Sequence, residues 1–342
     1  MDHKKAMQNG NAVDWFVDRH PRDGGGARAA FQDPWRSLTY TALETATRRF
    51  AGALQNTGIG RERRVLLLLQ DTIDFPIAFW GALRAGVVPV PLNTLLTPET
   101  VAYVLADSRA DAVVISAGLT APLGKTLRDA PLKQVIVSEP DGSSPSLTDE
   151  GWTGFPAFLA AGDPATSTAA ASPDEVAFWL YSSGSTGAPK GVRHIHSSLR
   201  FTADTYGAQV LGIRPDDVMF SAAKAFHAYG LGNSLTFPMS VGAKAVFLPD
   251  RPTPEAVLNM MRTHNPTLFG GVPTLYAGLL ANPYIMPGAG SSRLRRCISA
   301  GEALPADIGA RWKSIVGVDI LDGIGSTEML HIFISNYPDD IR

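Results

Sequence analysis

Residues 181–191, which read YSSGSTGAPKG, combine the residue types that suit the binding of a polyphosphate. Glycines let backbone N–H groups turn toward an anion, hydroxyl side chains donate hydrogen bonds, and a lysine supplies a mobile positive charge. The segment differs from a Walker A loop, because glycine and a strand-like GVRHI follow its lysine. A polar linker is the alternative, but linkers rarely lie between two short hydrophobic strands. The predicted phosphate-binding residues are Ser182, Ser183, Gly184, Ser185, Thr186, Gly187 and Lys190.

The segments that must position this loop have the hydrophobic patterns of alternating strands and helices. An apolar run at 65–69 precedes a helical pattern at 71–86 and an extended run at 87–92, and two further extended runs end at residues 116 and 138. Buried parallel strands with crossover helices explain this order best. We predict an α/β fold with two adjacent subdomains of mostly parallel sheets, over residues 1–172 and 173–342, and a surface linker at about 141–174.

The composition is that of a globular protein. The 342 residues are too many for one ordinary core, 45% of them are apolar, and the net charge of −2 gives no indication of a nucleic-acid partner. The single cysteine, Cys297, excludes an internal disulfide, and the apolar runs are too short for a signal peptide or a membrane span. We expect a cytoplasmic protein with no membrane partner, either a monomer or a homodimer.

Further motifs follow the loop in a recognisable order. They read FHAYGLG at 226–232, GVPTLY at 271–276, SAGEALP at 299–305 and DGIGSTEM at 322–329. Together with the phosphate loop they resemble the motifs of the adenylate-forming superfamily, which includes acyl-CoA ligases, peptide-synthetase adenylation domains and luciferases. Within it, DGIGSTEMLHIF and FHAYGLGN most resemble the benzoate–CoA ligases and related aryl-CoA ligases. The resemblance covers nearly the whole chain.

The resemblance implies a reaction in which ATP converts an aryl carboxylic acid to an acyl-adenylate, which coenzyme A then captures. The catalytic residues that it implies are Lys190 for the β- and γ-phosphates, Thr327 for the α-phosphate, Glu328 for Mg²⁺ and His227 at the mouth of the thiol tunnel. Further ATP-binding residues are Gly301, Glu302 and Ala303 along adenine, with Asp322 near its amino group. The implied acid pocket consists of Ala228, Tyr229, Gly230, Gly325, His331 and Ile332.

Several of these residues also have simpler interpretations. Taken alone, Glu328 would be a helix-cap partner, Tyr229 and Ile332 ordinary core residues, and His227 a loop histidine. One position departs from the superfamily pattern, because Ile324 stands where an aromatic residue usually lies against adenine.

The resemblance also implies a mobile C-terminal lid domain that these 342 residues do not contain. We therefore expect an engineered or proteolytic fragment of a longer enzyme, with little full turnover by itself. Within enzymes, the alternatives are a ligase for hydroxy-, amino- or chlorobenzoate and another aryl adenylating enzyme. Outside enzymes, the alternative is a non-catalytic protein that binds an aryl acid or a nucleotide. Aromatic compound degradation is the process that the resemblance implies.

Overall fold

A computed structural model of the chain describes residues 10–147, 151–182, 187–286 and 290–341. The strands are β1 Ala29–Gln32, β2 Ser37–Thr39, β3 Arg64–Leu68, β4 Val88–Pro91, β5 Ala112–Ser116, β6 Gln134–Ser138, β7 Trp152–Gly154, β8 Val176–Ser182, β9 Lys190–Ile195, β10 Val218–Ser221, β11 Lys244–Val246, β12 Leu268–Gly271, β13 Arg296–Ser299, β14 Ile320–Gly325 and β15 Ile332–Ser335.

The α-helices are α1 Arg19–Arg22, α2 Tyr40–Asn56, α3 Asp74–Arg84, α4 Pro98–Ser108, α5 Thr120–Asp129, α6 Phe155–Ala160, α7 His196–Thr202, α8 Ala228–Leu231, α9 Phe237–Val241, α10 Pro254–His264, α11 Pro273–Ala281 and α12 Ala306–Val316. Shorter helical segments of other types are the π-helical Asp14–Asp18, Ala203–Val210 and Gly232–Thr236 and the 3₁₀ turn Ala117–Leu119. No helix in the described ranges is long and apolar enough to cross a membrane.

The chain forms two compact units, each assembled from separate stretches of sequence. The first unit lies within Met1–Gly26, Tyr40–Leu69 and Pro76–Arg200, and the second lies within Ala27–Thr39, Gln70–Phe75 and Phe201–Arg342. These units differ from the predicted division at residue 172. One physical reason is that strand β1, near the start of the chain, belongs to the second unit, where Phe31 pairs in parallel with Ala245 of β11.

The first unit contains a five-stranded sheet in the order β4-β3-β5-β6-β7, in which all described pairings are parallel. Leu66, Val113 and Val135 point to one face of this sheet, where they form a buried cluster with Val101 of α4 and Leu123 of α5. Strands that helices cover on both faces have continuous apolar sequences, and for this reason these strands could be predicted from the sequence. The predicted parallel α/β arrangement is confirmed.

Residues 152–160 form β7 and α6, so the predicted linker over 141–174 is wrong there. Strand β7 extends the parallel sheet by pairing with β6, with Thr153 opposite Ile136. Phe155 and Phe158 of α6 pack against Phe50 of α2, with ring centroids 5.9 and 5.3 Å apart. The strand residues WTG carry no clear alternation, so these tertiary contacts decide the local structure.

The second unit contains an eight-stranded sheet in the order β15-β14-β13-β12-β10-β11-β1-β2. The strands from β14 to β1 are parallel to one another, whereas β15 and β2 pair antiparallel at the two edges. A buried cluster that includes Phe220, Phe269, Tyr276 and Trp312 packs against it. In this sheet, β12, β13 and β14 end beside the residues predicted to bind the acid.

Candidate active site

Strands β8 and β9 of the first unit hold the two ends of the predicted phosphate loop. They pair antiparallel, with Ser182 opposite Lys190. Lys190 is exposed at the start of β9, and Gly187 is exposed with a φ of +105°, a conformation that strongly favours glycine. Ser183, Gly184, Ser185 and Thr186, which we also predicted to bind phosphate, lie outside the described residues. Tyr181 anchors the end of β8 by donating a hydrogen bond to Asp107 of α4.

Residues 228–241 of the second unit form one continuous helical run with a wide turn in its middle. Helix α8 leads into the π-helical segment Gly232–Thr236, which leads into α9, and Gly242 ends the run with a φ of +72°. His227 precedes the run in an extended conformation, and its backbone N–H donates to the carbonyl oxygen of Lys224 at 3.1 Å. The His227 side chain is exposed. This helical run carries Ala228, Tyr229 and Gly230 of the predicted acid pocket.

The hydroxyl of Tyr229 is bound to the ends of two neighbouring strands. Its oxygen lies 3.1 Å from the carbonyl oxygen of Gly271 at the end of β12 and 3.1 Å from that of Ile298 in β13. Burial raises the pKa of Tyr229 well above its ordinary value, so the hydroxyl keeps its proton. Because a phenol has one proton, that proton is already shared between these two carbonyls.

His331 is enclosed by aromatic rings, with only 1% of its surface exposed. Its ring centroid lies 4.8 Å from that of Tyr206, 5.4 Å from that of Tyr229 and 4.5 Å from that of Phe237. Its Nε2 atom lies 3.3 Å from Oδ1 of Asn233, and with the amide in this orientation the contact is a hydrogen bond when Nε2 carries the proton of the neutral ring. Burial lowers the pKa of His331 to about 3, against a smaller opposing effect of the Tyr229 backbone. The imidazole is therefore neutral near pH 7.

Glycine at position 232 makes room for this ring. A Cβ atom added there would lie 2.5 Å from Cδ2 of His331 and 2.9 Å from Cζ of Phe237. Gly325 has a comparable role in the adjacent hairpin, since its Cβ would lie 2.9 Å from the carbonyl oxygen of His331. Gly325 pairs with Ile332, which is 6% exposed. The missing side chains thus allow close packing around His331 and Ile332.

The turn between β14 and β15 carries the two residues predicted to act on the α-phosphate and the metal. Thr327 is half-buried and Glu328 is exposed. The backbone N–H of Leu330 donates to the carbonyl oxygen of Thr327 at 3.2 Å, and Leu330 has a φ of +66°, which is uncommon for a residue with a Cβ. Glu328 forms no ion pair with any residue in the described ranges. Its carboxylate is therefore accessible, as a ligand for Mg²⁺ must be.

Asp322 fixes the loop that was predicted to line adenine. It lies opposite Ser299 in the β13–β14 pairing, and its Oδ2 accepts a hydrogen bond of 3.2 Å from the backbone N–H of Leu304. The predicted residues Gly301, Glu302 and Ala303 are all exposed, and Gly301 has a φ of +95°. The structure thus keeps Asp322 and this loop at one end of the second sheet.

A family model for AMP-binding enzymes matches residues 17–342 of the chain. The chain belongs to the AMP-binding enzyme family. This membership agrees with the resemblance to adenylate-forming enzymes that the motifs had indicated.

Individual relatives of this AMP-binding protein share both its sequence and its fold. The benzoate–CoA ligase of Thauera aromatica is 48% identical over 339 residues, which is 99% of this chain and 63% of that protein. The crystal structure of a benzoate CoA ligase from Burkholderia xenovorans LB400 is 45% identical with a TM-score of 0.89, over 98% of this chain and 64% of that one. The anthranilate CoA ligase AuaEII, solved with anthranoyl-AMP, is 34% identical with a TM-score of 0.92, over 100% of this chain and 65% of that one.

The chain therefore spans about 63% of the length of the Thauera aromatica relative. Its fold is that of the corresponding parts of the solved ligases, with mostly parallel sheets flanked by helices.

Three residues of the second unit that contact the predicted pocket were absent from the sequence-based set. Asn233 binds Nε2 of His331, and the rings of Tyr206 and Phe237 pack against the same imidazole. Asn233 follows Tyr229 by about one helical turn and ends the motif FHAYGLGN. This spacing was the feature of the sequence that could have identified Asn233 as a neighbour of the pocket. Nothing in the sequence around Tyr206 or Phe237 distinguishes them from ordinary core residues.

Proposed function

We propose that this AMP-binding protein activates benzoate, or a closely related aryl acid, to an acyl-adenylate and transfers the acyl group to coenzyme A. The products are the aryl-CoA thioester, AMP and pyrophosphate. The observation that carries this proposal is the enclosed, neutral ring of His331 beside Tyr229. The likeness to a relative named benzoate–CoA ligase, at 48% identity, supports it.

The aromatic surroundings of His331 suit a flat, apolar ring. Tyr206, Tyr229 and Phe237 present ring faces and edges, and pockets for small ligands are lined mainly by such groups. A charged imidazole would require water or a counterion, whereas the neutral one adds no charge to the region. The proposed acid pocket consists of Ala228, Tyr229, Gly230, Gly325, His331 and Ile332, and Tyr206 and Phe237 pack against its histidine.

In the first step a carboxylate oxygen of the acid attacks the α-phosphorus of ATP. The new O–P bond forms as the bond between the α-phosphorus and the bridging oxygen breaks, and pyrophosphate leaves with that electron pair. Both reactants are anions, so the protein must offset charge and hold them in line. We propose that Lys190 and the loop from Ser182 to Gly187 bind the β- and γ-phosphates, and that Thr327 donates to the α-phosphate.

The proposed nucleotide site also includes residues of the 301–303 loop and a metal ligand. Gly301, Glu302, Ala303 and Asp322 are proposed to line the adenine. Glu328 would hold Mg²⁺, and its exposed carboxylate fits that ion, which takes one or two carboxylates plus phosphate oxygens and water. When bound, Mg²⁺ would neutralise part of the phosphate charge.

In the second step the sulfur of coenzyme A attacks the acyl carbon of the adenylate. The C–S bond forms, the C–O bond to AMP breaks, and the thiol proton is released. His227 stands exposed at the start of α8, directly before the proposed pocket residues Ala228 and Tyr229. We propose that it lies at the entrance used by the thiol.

The hydrogen bonds around the pocket favour unsubstituted benzoate over a hydroxybenzoate or aminobenzoate. The Tyr229 proton is shared by two backbone carbonyls, and the His331 proton faces Asn233. Neither of these protons is free to bind a polar ring substituent, although Nδ1 of His331 and Nδ2 of Asn233 have no hydrogen-bond partner among the described residues. A site that hydrogen-bonds a substituent rejects the analogue lacking it strongly, whereas an apolar site separates similar rings only modestly. We therefore expect a preference for benzoate of about tenfold or less over its para-hydroxy analogue.

Calorimetric titration of this chain tests the pocket, with benzoate, 4-hydroxybenzoate, 2-aminobenzoate and phenylacetate as ligands. The complete gene product, assayed for exchange of labelled pyrophosphate into ATP with Mg²⁺ and each acid, tests the first step. We expect benzoate to bind most tightly and to support the fastest exchange.

Tighter binding of another aryl acid would keep the reaction and change the substrate. Benzoate binding without exchange or thioester formation by the complete gene product would support a non-catalytic binding protein and overturn the proposed reaction. Absence of binding by every acid would overturn the proposed pocket.

A further inference from the structure

Asp71 is a buried carboxylate that the proposed reaction does not use. It is 1% exposed, and it forms no ion pair with any residue of the described part of the chain. Its Oδ1 and Oδ2 atoms lie 3.1 and 3.4 Å from the backbone nitrogen of Ala225. Burial raises the pKa of Asp71 to about 6, although the charge of Lys224 and the hydrogen bond from Ala225 oppose the rise. Buried ionisable groups with so few partners are costly and cluster at functional sites.

Ala225 lies in the middle of the loop 222–227, which connects β10 to α8. The start of the loop is held by β12, since the N–H of Ala222 donates to the carbonyl oxygen of Gly270 at 2.8 Å. The Lys224 ammonium donates to backbone carbonyls after β11, at 2.7 Å for Asp250 and 3.3 Å for Pro249. Asp71 binds the same loop at the next residue. The loop is thus fixed by backbone contacts at its start and by two charged side chains at its centre.

The loop in turn determines where α8 begins. The N–H of His227 donates to the carbonyl oxygen of Lys224, and the N–H of Leu231 donates to that of His227 at 2.7 Å. A Cβ atom on Gly230 would lie 2.0 Å from the same Lys224 oxygen, so the helix packs directly on the loop. A displacement of Ala225 would therefore move the first turn of α8 and the residues that it carries.

We propose that Asp71 is a positioning residue for the aryl-acid pocket, which holds Ala225 so that His227 and Tyr229 keep their places at the start of α8. The inference rests on the proposed function of that pocket. Asp71 acts through the loop and does not touch the substrate. Its loss should weaken acid binding more than ATP binding, because the contacts that it controls lie on the acid side of the proposed site.

Asp71→Ala and Asp71→Asn form the central comparison. Alanine leaves the Ala225 N–H without its acceptor, whereas asparagine keeps an acceptor oxygen of the same reach. In calorimetric titrations of this chain we expect Asp71→Ala to weaken benzoate binding about tenfold, and Asp71→Asn to remain within about threefold of the wild type. In the complete gene product, Asp71→Ala should raise the KM for benzoate while the KM for ATP changes less than about twofold.

Asp217→Ala is a matched structural control. Asp217 is also buried, at 4% exposure, and it accepts hydrogen bonds from Thr267 and Arg295, but it lies at the opposite end of β10 from the loop. The Asp217→Ala substitution should lower the free energy of unfolding without altering the ratio of benzoate affinity to ATP affinity. Should Asp71→Ala fail to fold, Asp71→Ser is the replacement, since its short hydroxyl side chain cannot reach Ala225 as the carboxylate does.

The outcomes separate this inference from the proposed function. Benzoate binding by the wild type with an unchanged affinity in Asp71→Ala or Asp71→Ser would overturn the positioning role alone. Equal losses of benzoate and ATP affinity, or the same pattern in Asp217→Ala, would also overturn it. Absence of benzoate binding by the wild type would overturn the proposed function and the inference together.

Discussion

Nε2 of His331 lies 3.3 Å from Oδ1 of Asn233, and both side chains are essentially fully buried. Asn233 belongs to the π-helical segment between α8 and α9, whereas His331 ends the turn between β14 and β15. The contact therefore joins the helical run to the hairpin that carries Thr327 and Glu328. The polar pair of Asn233 and His331 thus links the helical run that carries the proposed acid-binding residues to the turn that carries the proposed phosphate and metal ligands.

Asn233→Ala should lower the free energy of unfolding by about 2 kcal/mol, because it leaves a buried imidazole N–H without its acceptor. Chemical denaturation of the wild type and the variant measures this difference. Ser234→Ala is the control, since Ser234 is the next residue and is equally buried, but its hydroxyl has no described partner. An equal loss in both variants would argue against a specific role for the Asn233–His331 contact.

The lowered pKa of His331 predicts a loss of stability in acid. The folded protein holds this histidine neutral, with a pKa of about 3, whereas the unfolded chain takes up a proton near pH 6.5. The contribution of the neutral His331 to the free energy of unfolding is therefore complete above about pH 6.5 and decreases as the pH falls toward 3. Tyr206 and Tyr229, which face the ring, keep their protons throughout because burial raises the pKa of each.

Unfolding experiments at pH 7.5 and pH 5 test this assignment. His331→Gln should reduce the loss of stability between the two conditions by about 2 kcal/mol relative to the wild type. His196→Gln is a control in the first unit, where burial lowers the pKa of His196 to about 4. It should reduce the acid sensitivity similarly and leave benzoate affinity unchanged. Identical pH dependence in wild type and His331→Gln would contradict the assignment.

Lys190→Ala should impair ATP use more than benzoate binding in the complete gene product. The side chain is exposed at the start of β9, so its removal costs little folding stability but removes a positive charge from the proposed phosphate site. We expect kcat/KM for ATP to fall about a hundredfold, while the benzoate dissociation constant changes less than about threefold. An equal loss for both ligands would count against the phosphate assignment.

Gly232→Ala should destabilise the second unit by about 1 to 3 kcal/mol, because the added methyl group would overlap His331 and Phe237. Benzoate binding should weaken in the same variant, since the imidazole must move. Gly309→Ala in α12 is the control, where the nearest atom to the new Cβ is Cδ2 of Leu304 at 3.6 Å. That substitution should be neutral or stabilising, by up to about 1 kcal/mol.

Local pattern predicted the parallel strands of the first unit well. Leu66, Val113 and Val135 lie on strands buried on both faces, and short continuous apolar runs are typical of such strands. The short strand β7 was missed because its three residues become a strand only through pairing with β6 and the packing of α6 on Phe50. The membership of β1 in the second sheet depends on a pairing across more than 200 residues, which no window of sequence contains.

The residues of the proposed acid pocket were predicted from motifs, whereas the residues that pack around them and hold them in place were not predicted. Tyr229 and His331 belong to motifs with a recognised order, so their proximity in the second unit could be expected. Asn233 and Gly232 act through a π-helical turn, whose extra residue changes which side chains face inward. A regular helical periodicity of 3.6 residues does not reproduce that change. Asp71 and Ala225 meet across 154 residues, and only the folded chain reveals their contact.

The wide turn at Gly232–Thr236 also limits how this region can evolve. Each residue of an α-helix advances the chain by roughly 100° around the axis, so deletion of one residue in the turn would rotate all of α9 relative to α8. Phe237 would then leave the face of His331, and Gly242 would no longer end the helix in register. Changes in substrate preference are therefore expected to arise in this lineage by replacement of side chains, because insertions and deletions here would dismantle the helix that carries them.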